Sequence, residues 1–168
     1  MAIKLGPVLN ATGRISQRFG DNPDFYKQYG FNGHEGVDLA ASCGVLVASA
    51  TGGSVIYAGS SGTNYGSFVI VWDTDQNCKT LYSHLQDIAV KKNQIISDGD
   101  TIGHVGMTGK TSGCHLHFGV ARTKMKKGFV LLEGEVTIQS PDPLNPDNGY
   151  KGWEDPLGSG KYMLRRPH

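Results

Sequence analysis

Residues 114–121 read Cys114-His-Leu-His-Phe-Gly-Val-Ala121, and polar and apolar side chains alternate along its first half. In an extended strand, side chains two positions apart point to the same face. His115 and His117 are therefore expected to project side by side, while Leu116 and Phe118 face the opposite way into a core. This stretch predicts a β-strand that presents two imidazoles on one face.

Short runs rich in β-branched and aromatic residues recur on the amino-terminal side of this stretch. Many of the 24 glycines lie between them. Strands are predicted at residues 13–20 (an edge strand), 45–49, 54–58, 67–72, 79–83, 98–106 and 114–121, with a loop at 21–33. Short strands at roughly even spacing predict an all-β fold, either an antiparallel sandwich or a partly open barrel.

Length and composition bound the class of protein. A chain of 168 residues is long enough for one domain with a real core, predicted at about 13–143, with an irregular proline-rich tail at 144–168. The net charge of +1 gives no strong attraction to nucleic acid or to an anionic membrane. The sequence contains no run of about 18 apolar residues, so no membrane-spanning helix is predicted. The first residues lack the apolar core of a secretory signal.

A second polar cluster reads His34-Glu-Gly-Val-Asp38. If this segment is extended, His34 and Asp38 share a face, whereas Glu35 points away and is discounted as a general base. Gly33 and Gly36 disfavour a helix here. Two imidazoles and one carboxylate suit a catalytic metal that keeps an open coordination position.

In their order and flanking residues, these motifs resemble those of the lysostaphin-type, or LytM-like, zinc endopeptidases of bacterial peptidoglycan. Residues 33–41 resemble the family's H-x-G-x-D motif, 82–85 its Y-x-H-L motif, 98–109 its glycine-rich run, 112–118 its H-L-H-F motif, and 142–143 its closing Asp-Pro. The resemblance covers roughly residues 13–143. Asn93 stands where glycine is usual, and Cys114 stands where proline is common.

The resemblance implies a Zn²⁺ site with His34, Asp38 and His117 as ligands, and His84 and His115 as catalytic histidines beside it. It also implies hydrolysis of a peptide bond in the stem or cross-bridge of peptidoglycan. Zinc lowers the pKa of bound water to about 7. The two catalytic histidines would exchange protons and stabilise the oxyanion, in an order that the sequence leaves open.

The resemblance makes peptidoglycan the expected partner, so the protein is expected to act outside the cytoplasm. Because no secretory signal is evident, a phage or prophage lysin released through a holin, a virion component, or a trimmed secreted enzyme is expected. The protein is predicted to be a monomer or part of a phage assembly, with no nucleic-acid partner.

Two functional alternatives stay open. One is a non-catalytic, zinc-stabilised module that binds the cell wall or builds a phage tail. The other, an iron oxygenase with two histidines and one carboxylate, is disfavoured because those sites usually place the first histidine and the carboxylate two residues apart.

The remaining cysteines and histidines are not assigned to the metal. Cys43, Cys78 and Cys114 are expected to be free or partly buried thiols, with one disulfide as the alternative. None of the three is expected to bind the metal. His104 is expected to be structural or exposed.

Overall fold

The computed structural model describes residues 2–9, 14–60, 64–124 and 143–158, together with the backbone of 162–164. Over these ranges the protein is built mainly from short strands. The elements are β1 (Ile3–Leu5), β2 (Arg14–Gln17), α1 (Pro23–Tyr26), a 3-10 helix (Lys27–Tyr29), β3 (Val37–Ala40), β4 (Leu46–Ala48), β5 (Gly53–Ser60), β6 (Ser67–Asp73), β7 (Cys78–Ser83), β8 (Leu85–Ile88), β9 (Ile95–Ile96), β10 (Thr101–Val105), β11 (His115–Arg122) and β12 (Tyr162–Leu164). The all-β prediction is confirmed.

The strands form one large sheet and two small ones. The large sheet has the order β2-β3-β11-β7-β6-β5-β9 and is antiparallel throughout. A three-stranded antiparallel sheet has the order β4-β10-β8, and β1 pairs in parallel with β12. The large sheet ends at β2 and β9 without closing on itself, so the fold is an open sandwich and not a closed barrel.

The main core lies between the large sheet and the three-stranded sheet. Alternate residues of the large sheet, such as Val69, Tyr82 and Phe118, bury their side chains in one cluster with Leu85 and Ile102 of the small sheet. Each fully buried side chain of this kind contributes about 1.5–3 kcal/mol relative to its exposure to water. Period-two alternation thus fixes which face of β11 packs into the main core.

The opposite face of the large sheet carries a smaller aromatic cluster. Phe68, Leu81 and Ala121 pack there with Trp153, which comes from the carboxyl-terminal segment. His117 lies four residues before Ala121 on β11, so strand parity places it on this same face. The cleft described below opens on this side.

Two predictions about local structure need correction. The loop predicted at 21–33 contains α1, which begins at Pro23, and the 3-10 helix, which ends at Tyr29 and is capped by Gly30 with a positive φ of 80°. The tail predicted to be irregular contains β12 and the buried Trp153. The single-domain boundaries stay a prediction.

The expectation of free thiols is also wrong for two of the three cysteines. Cys43 and Cys114 form a disulfide, and the thiol of Cys78 is free and buried. The bond ties the segment between β3 and β4 to the residue that precedes β11. Sequence alone could not show this pairing, because the two cysteines are separated by 71 positions.

Candidate active site

Two of the proposed ligands face each other across neighbouring strands. His117 on β11 is the direct partner of Asp38 on antiparallel β3. Nδ1 of His117 lies 3.0 Å from Oδ1 of Asp38, and both side chains are buried. Directly opposed residues of an antiparallel pair bring their side chains within contact, so the register itself builds this half of the site.

His34 reaches the same point from outside the sheet. The extended segment expected for 34–38 is wrong, because β3 begins only at Val37 and the residues before it bend. Backbone hydrogen bonds to Gly20 and Asp21 hold this bend in place. Nε2 of His34 lies 2.9 Å from Nδ1 of His117 and 3.1 Å from Oδ1 of Asp38.

The three groups fit a single metal ion. Their donor atoms lie 2.9–3.1 Å from one another. In a tetrahedral zinc site with Zn–N distances of about 2.0–2.1 Å, neighbouring donor atoms lie about 3.3 Å apart, so a few tenths of an ångström of movement suffices. Nδ1 of His34 lies 3.1 Å from the carbonyl of Arg18. That carbonyl can only accept a hydrogen, which leaves Nε2 with its lone pair.

The charges of the cluster support one another. Burial raises the pKa of Asp38, but in the metal-free protein the imidazoles of His117 and His34 beside it outweigh burial and hold that pKa well below its usual range. Burial lowers the pKa of His117, but its bond to Asp38 and the charge of Glu35 outweigh burial and raise that pKa. Asp38 is therefore ionised at neutral pH and ready to bind a cation.

His84 stands at the junction between the two sheets. It lies between β7 and β8 with a φ of +62°, a left-handed conformation that non-glycine residues adopt mainly at turns and functional sites. Its amide donates to the carbonyl of Tyr65 at 2.9 Å, and its Nδ1 donates to the carbonyl of Thr108 at 2.8 Å. Burial lowers the pKa of His84 to about 4, so the ring is neutral at pH 7.

His115 occupies the mouth of the same site. Its Nδ1 lies 3.0 Å from the carbonyl of Gly113 and 3.1 Å from Oγ1 of Thr111, while its Nε2 lies 3.6 Å from Oδ2 of Asp38. The rings of His84 and His115 have centroids 4.7 Å apart. Residues 106–114, the glycine-rich segment before β11, therefore hold both rings through Thr108 and Gly113.

These side chains lie in a cleft of about 800 Å³. Asn64, Tyr65 and residues 110–112 line part of its wall. The helical segment after β2 adds a wall that the sequence did not predict. Its residues in the cleft are Phe25, Tyr26 and Tyr29.

Glu35 belongs to the site, contrary to the prediction that it points away from the cluster. It does not point away from the cluster: it is 5% exposed, and its Oε1 lies 3.6 Å from Nε2 of His117. The flanking glycines, Gly33 and Gly36, disfavour a regular strand as well as a helix, and this is the sequence signal for the bend that turns Glu35 inward. His104 lies elsewhere and pairs with Asp87 at 2.8 Å. Asp142, of the closing Asp-Pro, falls outside the described residues.

The described residues form an open antiparallel sandwich whose cleft holds a His/Asp/His cluster and two further histidines. The chain matches the profile of Peptidase family M23 over residues 32–128, more than half of its length. It belongs to Peptidase family M23, and the resemblance seen in the sequence is confirmed.

Relatives and solved structures agree with this assignment. The chain is 40% identical over 93 residues to the peptidoglycan DD-endopeptidase ShyB of Vibrio cholerae, covering 52% of this chain and 20% of that protein. It is 30% identical over 106 residues to the murein hydrolase activator NlpD of Salmonella typhimurium, covering 63% and 26%. A zinc-containing peptidase from Vibrio cholerae superposes with a TM-score of 0.60 at 33% identity, covering 71% and 36%.

The chain spans about a third or less of the length of the curated relatives that it matches. Among the described residues, no helix has the length and apolar composition needed to cross a membrane.

Proposed function

We propose that this chain is a zinc-dependent endopeptidase that hydrolyses peptide bonds of bacterial peptidoglycan. The observation that carries the proposal is the convergence of four histidines and one aspartate, from three separate segments of the chain, on one cleft. His34, Asp38 and His117 are the proposed ligands, and His84 and His115 are the proposed catalytic groups. Three protein ligands leave a coordination position open for water or substrate, as catalytic zinc sites require.

When bound, zinc would supply a Lewis acid for the scissile carbonyl and would lower the pKa of a water molecule beside it. The other chemistry falls to the two histidines. Each donates its Nδ1 hydrogen to a backbone carbonyl, of Thr108 or of Gly113, and each therefore keeps a lone pair on Nε2. These nitrogens are placed to take a proton from the attacking water and to deliver one to the leaving amine.

The fixed backbone partners matter for rate. Because the carbonyls of Thr108 and Gly113 belong to one segment, His84 and His115 are held in their orientations before substrate arrives. Pre-organised groups of this kind lose little freedom at the moment of reaction, which lowers the barrier.

The proposed compartment follows from the substrate and from a covalent bond. Peptidoglycan lies outside the cytoplasmic membrane, and the disulfide between Cys43 and Cys114 is of the kind that persists outside the reducing cytoplasm. Both support action at the cell wall. Origin from a phage lysin or virion stays a prediction.

The direct test is digestion of purified sacculi of several peptidoglycan types. We expect new free amino groups without new reducing sugar ends. A chelator should stop their release and added zinc should restore it. New reducing ends with unchanged amines would contradict a peptidase.

A second candidate is activation of a separate cell-wall hydrolase, favoured by the name of the Salmonella relative. The same sacculi distinguish it. An activator would release no amines from any sacculus by itself, but would accelerate release by an added amidase. Both the His117→Ala and the His84→Asn variants should then stay active as activators.

A further inference from the structure

Three of the four histidines in the cleft have one ring nitrogen fixed by a backbone carbonyl. The pairs are His34 with Arg18 at 3.1 Å, His84 with Thr108 at 2.8 Å and His115 with Gly113 at 3.0 Å, each through Nδ1. His117 differs. Its Nε2 is buried, and it has no hydrogen-bond partner within the described residues. No backbone group there decides which of its nitrogens carries the hydrogen.

The charged group that faces this nitrogen is the carboxylate of Glu35. Oε1 of Glu35 lies 3.6 Å from Nε2 of His117, longer than a hydrogen bond but within the range of an ion pair. Oε1 also accepts a hydrogen bond from the hydroxyl of Tyr65 at 2.9 Å. Oε2 is buried with no hydrogen-bond partner in the described ranges. A buried carboxylate with unused acceptor capacity therefore lies beside a buried nitrogen that needs a partner.

The same residues confine the imidazole ring of His117. The ring of Tyr65 lies nearly parallel to it, with centroids 5.7 Å apart and planes inclined by 27°. On the side of the loop before β3, a Cβ on Gly36 would lie only 2.8 Å from Cε1 of His117. Tyr65 thus holds the carboxylate and also packs against the ring that the carboxylate faces.

We propose that Glu35 is a positioning residue for His117: held by Tyr65, its carboxylate faces Nε2 and favours the tautomer with the hydrogen there, which keeps the Nδ1 lone pair available to the metal that His34 and Asp38 would share. The inference rests on the proposed function, in which His117 is a zinc ligand. A carboxylate behind a ligating histidine fixes its tautomer and makes it a better donor, and loss of such a partner typically costs about 10–100-fold in metal affinity.

The test measures zinc affinity by competition with a chromophoric chelator. Glu35→Gln keeps the shape and one neutral acceptor, whereas Glu35→Leu removes the acceptor. We expect zinc affinity to be highest in wild type, lower in Glu35→Gln and lowest in Glu35→Leu. The affinity of Glu35→Leu should lie about 10–100-fold below that of wild type. Tyr65→Phe, which releases Glu35, is expected to weaken zinc binding as well.

Glu154→Gln is the matched control. Glu154 is another buried carboxylate, paired with Arg122 at 3.1 Å, and it does not line the cleft. We expect this control to keep wild-type zinc affinity. In the cobalt-substituted protein, Glu35→Gln should shift the visible absorption bands and Glu154→Gln should leave them unchanged.

A purely structural role for Glu35 predicts something different. A structural role predicts that Glu35→Gln lowers the urea midpoint of the metal-free protein. The positioning role predicts no such loss, because the buried Oε2 of Glu35 has no hydrogen-bond partner within the described residues. Unchanged zinc affinity in Glu35→Leu would overturn the inference, as would an affinity loss equal to that of Glu154→Gln. If wild type binds zinc but digests no sacculus, the proposed function fails while these affinities still decide the role of Glu35.

Discussion

Oδ1 of Asp38 lies 3.0 Å from Nδ1 of His117, its direct partner across the β3–β11 ladder. Because the backbone register sets this pairing, the two groups are delivered together whenever the strands pair. A one-residue slip of either strand would turn its side chain to the opposite face of the sheet. The candidate metal site is therefore tied to correct pairing of the central strands.

The first prediction concerns the ligands. Asp38→Ala and His117→Ala should each lose bound zinc and all activity on sacculi, because a three-ligand site cannot spare one ligand. Zinc per chain after dialysis is the measurement. His104→Ala, which removes a histidine from the three-stranded sheet, should keep both. Full zinc occupancy in His117→Ala would remove that residue from the ligand set.

The second prediction separates chemistry from metal binding. His84→Asn and His115→Asn should keep zinc while the turnover number falls by about 10²–10⁴-fold, the usual contribution of a positioned acid or base. Asparagine is chosen at position 84 because it tolerates a positive φ better than alanine. If His84→Asn is recovered without metal, His84 belongs among the ligands.

The third prediction concerns pH. The pKa of His84 falls from 6.5 to about 4 on folding, because burial disfavours the charged ring. Between these values the unfolded chain binds more protons than the folded one, so this residue makes stability fall as pH drops from 6.5 towards 4. At 1.36 kcal/mol per pKa unit, the limit is about 3 kcal/mol.

Urea unfolding of the metal-free protein at pH 7 and pH 4.5 measures the effect. His84→Asn, which cannot take up this proton, should lose less stability than wild type over that interval. Equal losses in the two proteins would show that His84 titrates normally.

The fourth prediction concerns the disulfide. The double variant Cys43→Ser with Cys114→Ser should keep its zinc, because neither sulfur is a ligand. Its free energy of unfolding should fall by up to about 4 kcal/mol, since the bond closes a loop over 71 positions. Turnover should also fall, because Cys114 adjoins Gly113, whose carbonyl orients His115. Cys78→Ala, which leaves the disulfide intact, is the control.

The fifth prediction concerns the close packing of Gly36 against β11. A Cβ at position 36 would lie 2.5 Å from the carbonyl oxygen of Phe118 and 2.8 Å from Cε1 of His117. Gly36→Ala should therefore displace the strand or the ring and weaken zinc binding. Gly44→Ala tests the same substitution where nothing lies within 4 Å, although its φ of 91° adds local strain. Equal zinc affinity in both variants would refute the packing argument.

The direction in which each strand side chain points could be predicted from the sequence, because side-chain alternation along a strand is a local property. The stretch around His115 and His117 showed which residues face the core and which face the cleft, and the structure places Leu116 and Phe118 in the core as predicted. The ordered motifs likewise identified His34, Asp38 and His84 as candidates. The facing of Leu116 and Phe118 needs only period two, whereas the site roles of His34, Asp38 and His84 were implied by the resemblance to a known family.

Only the tertiary structure decided the contacts between segments that are distant in the sequence. Glu35 reaches His117 because the chain bends before β3, and that bend depends on hydrogen bonds to residues 20 and 21. The pairing of Cys43 with Cys114 depends on how two distant segments meet. The orientation of His84 depends on a carbonyl 24 positions away. Such contacts carry no local periodic signal, because they arise only when the two sheets and their loops pack together.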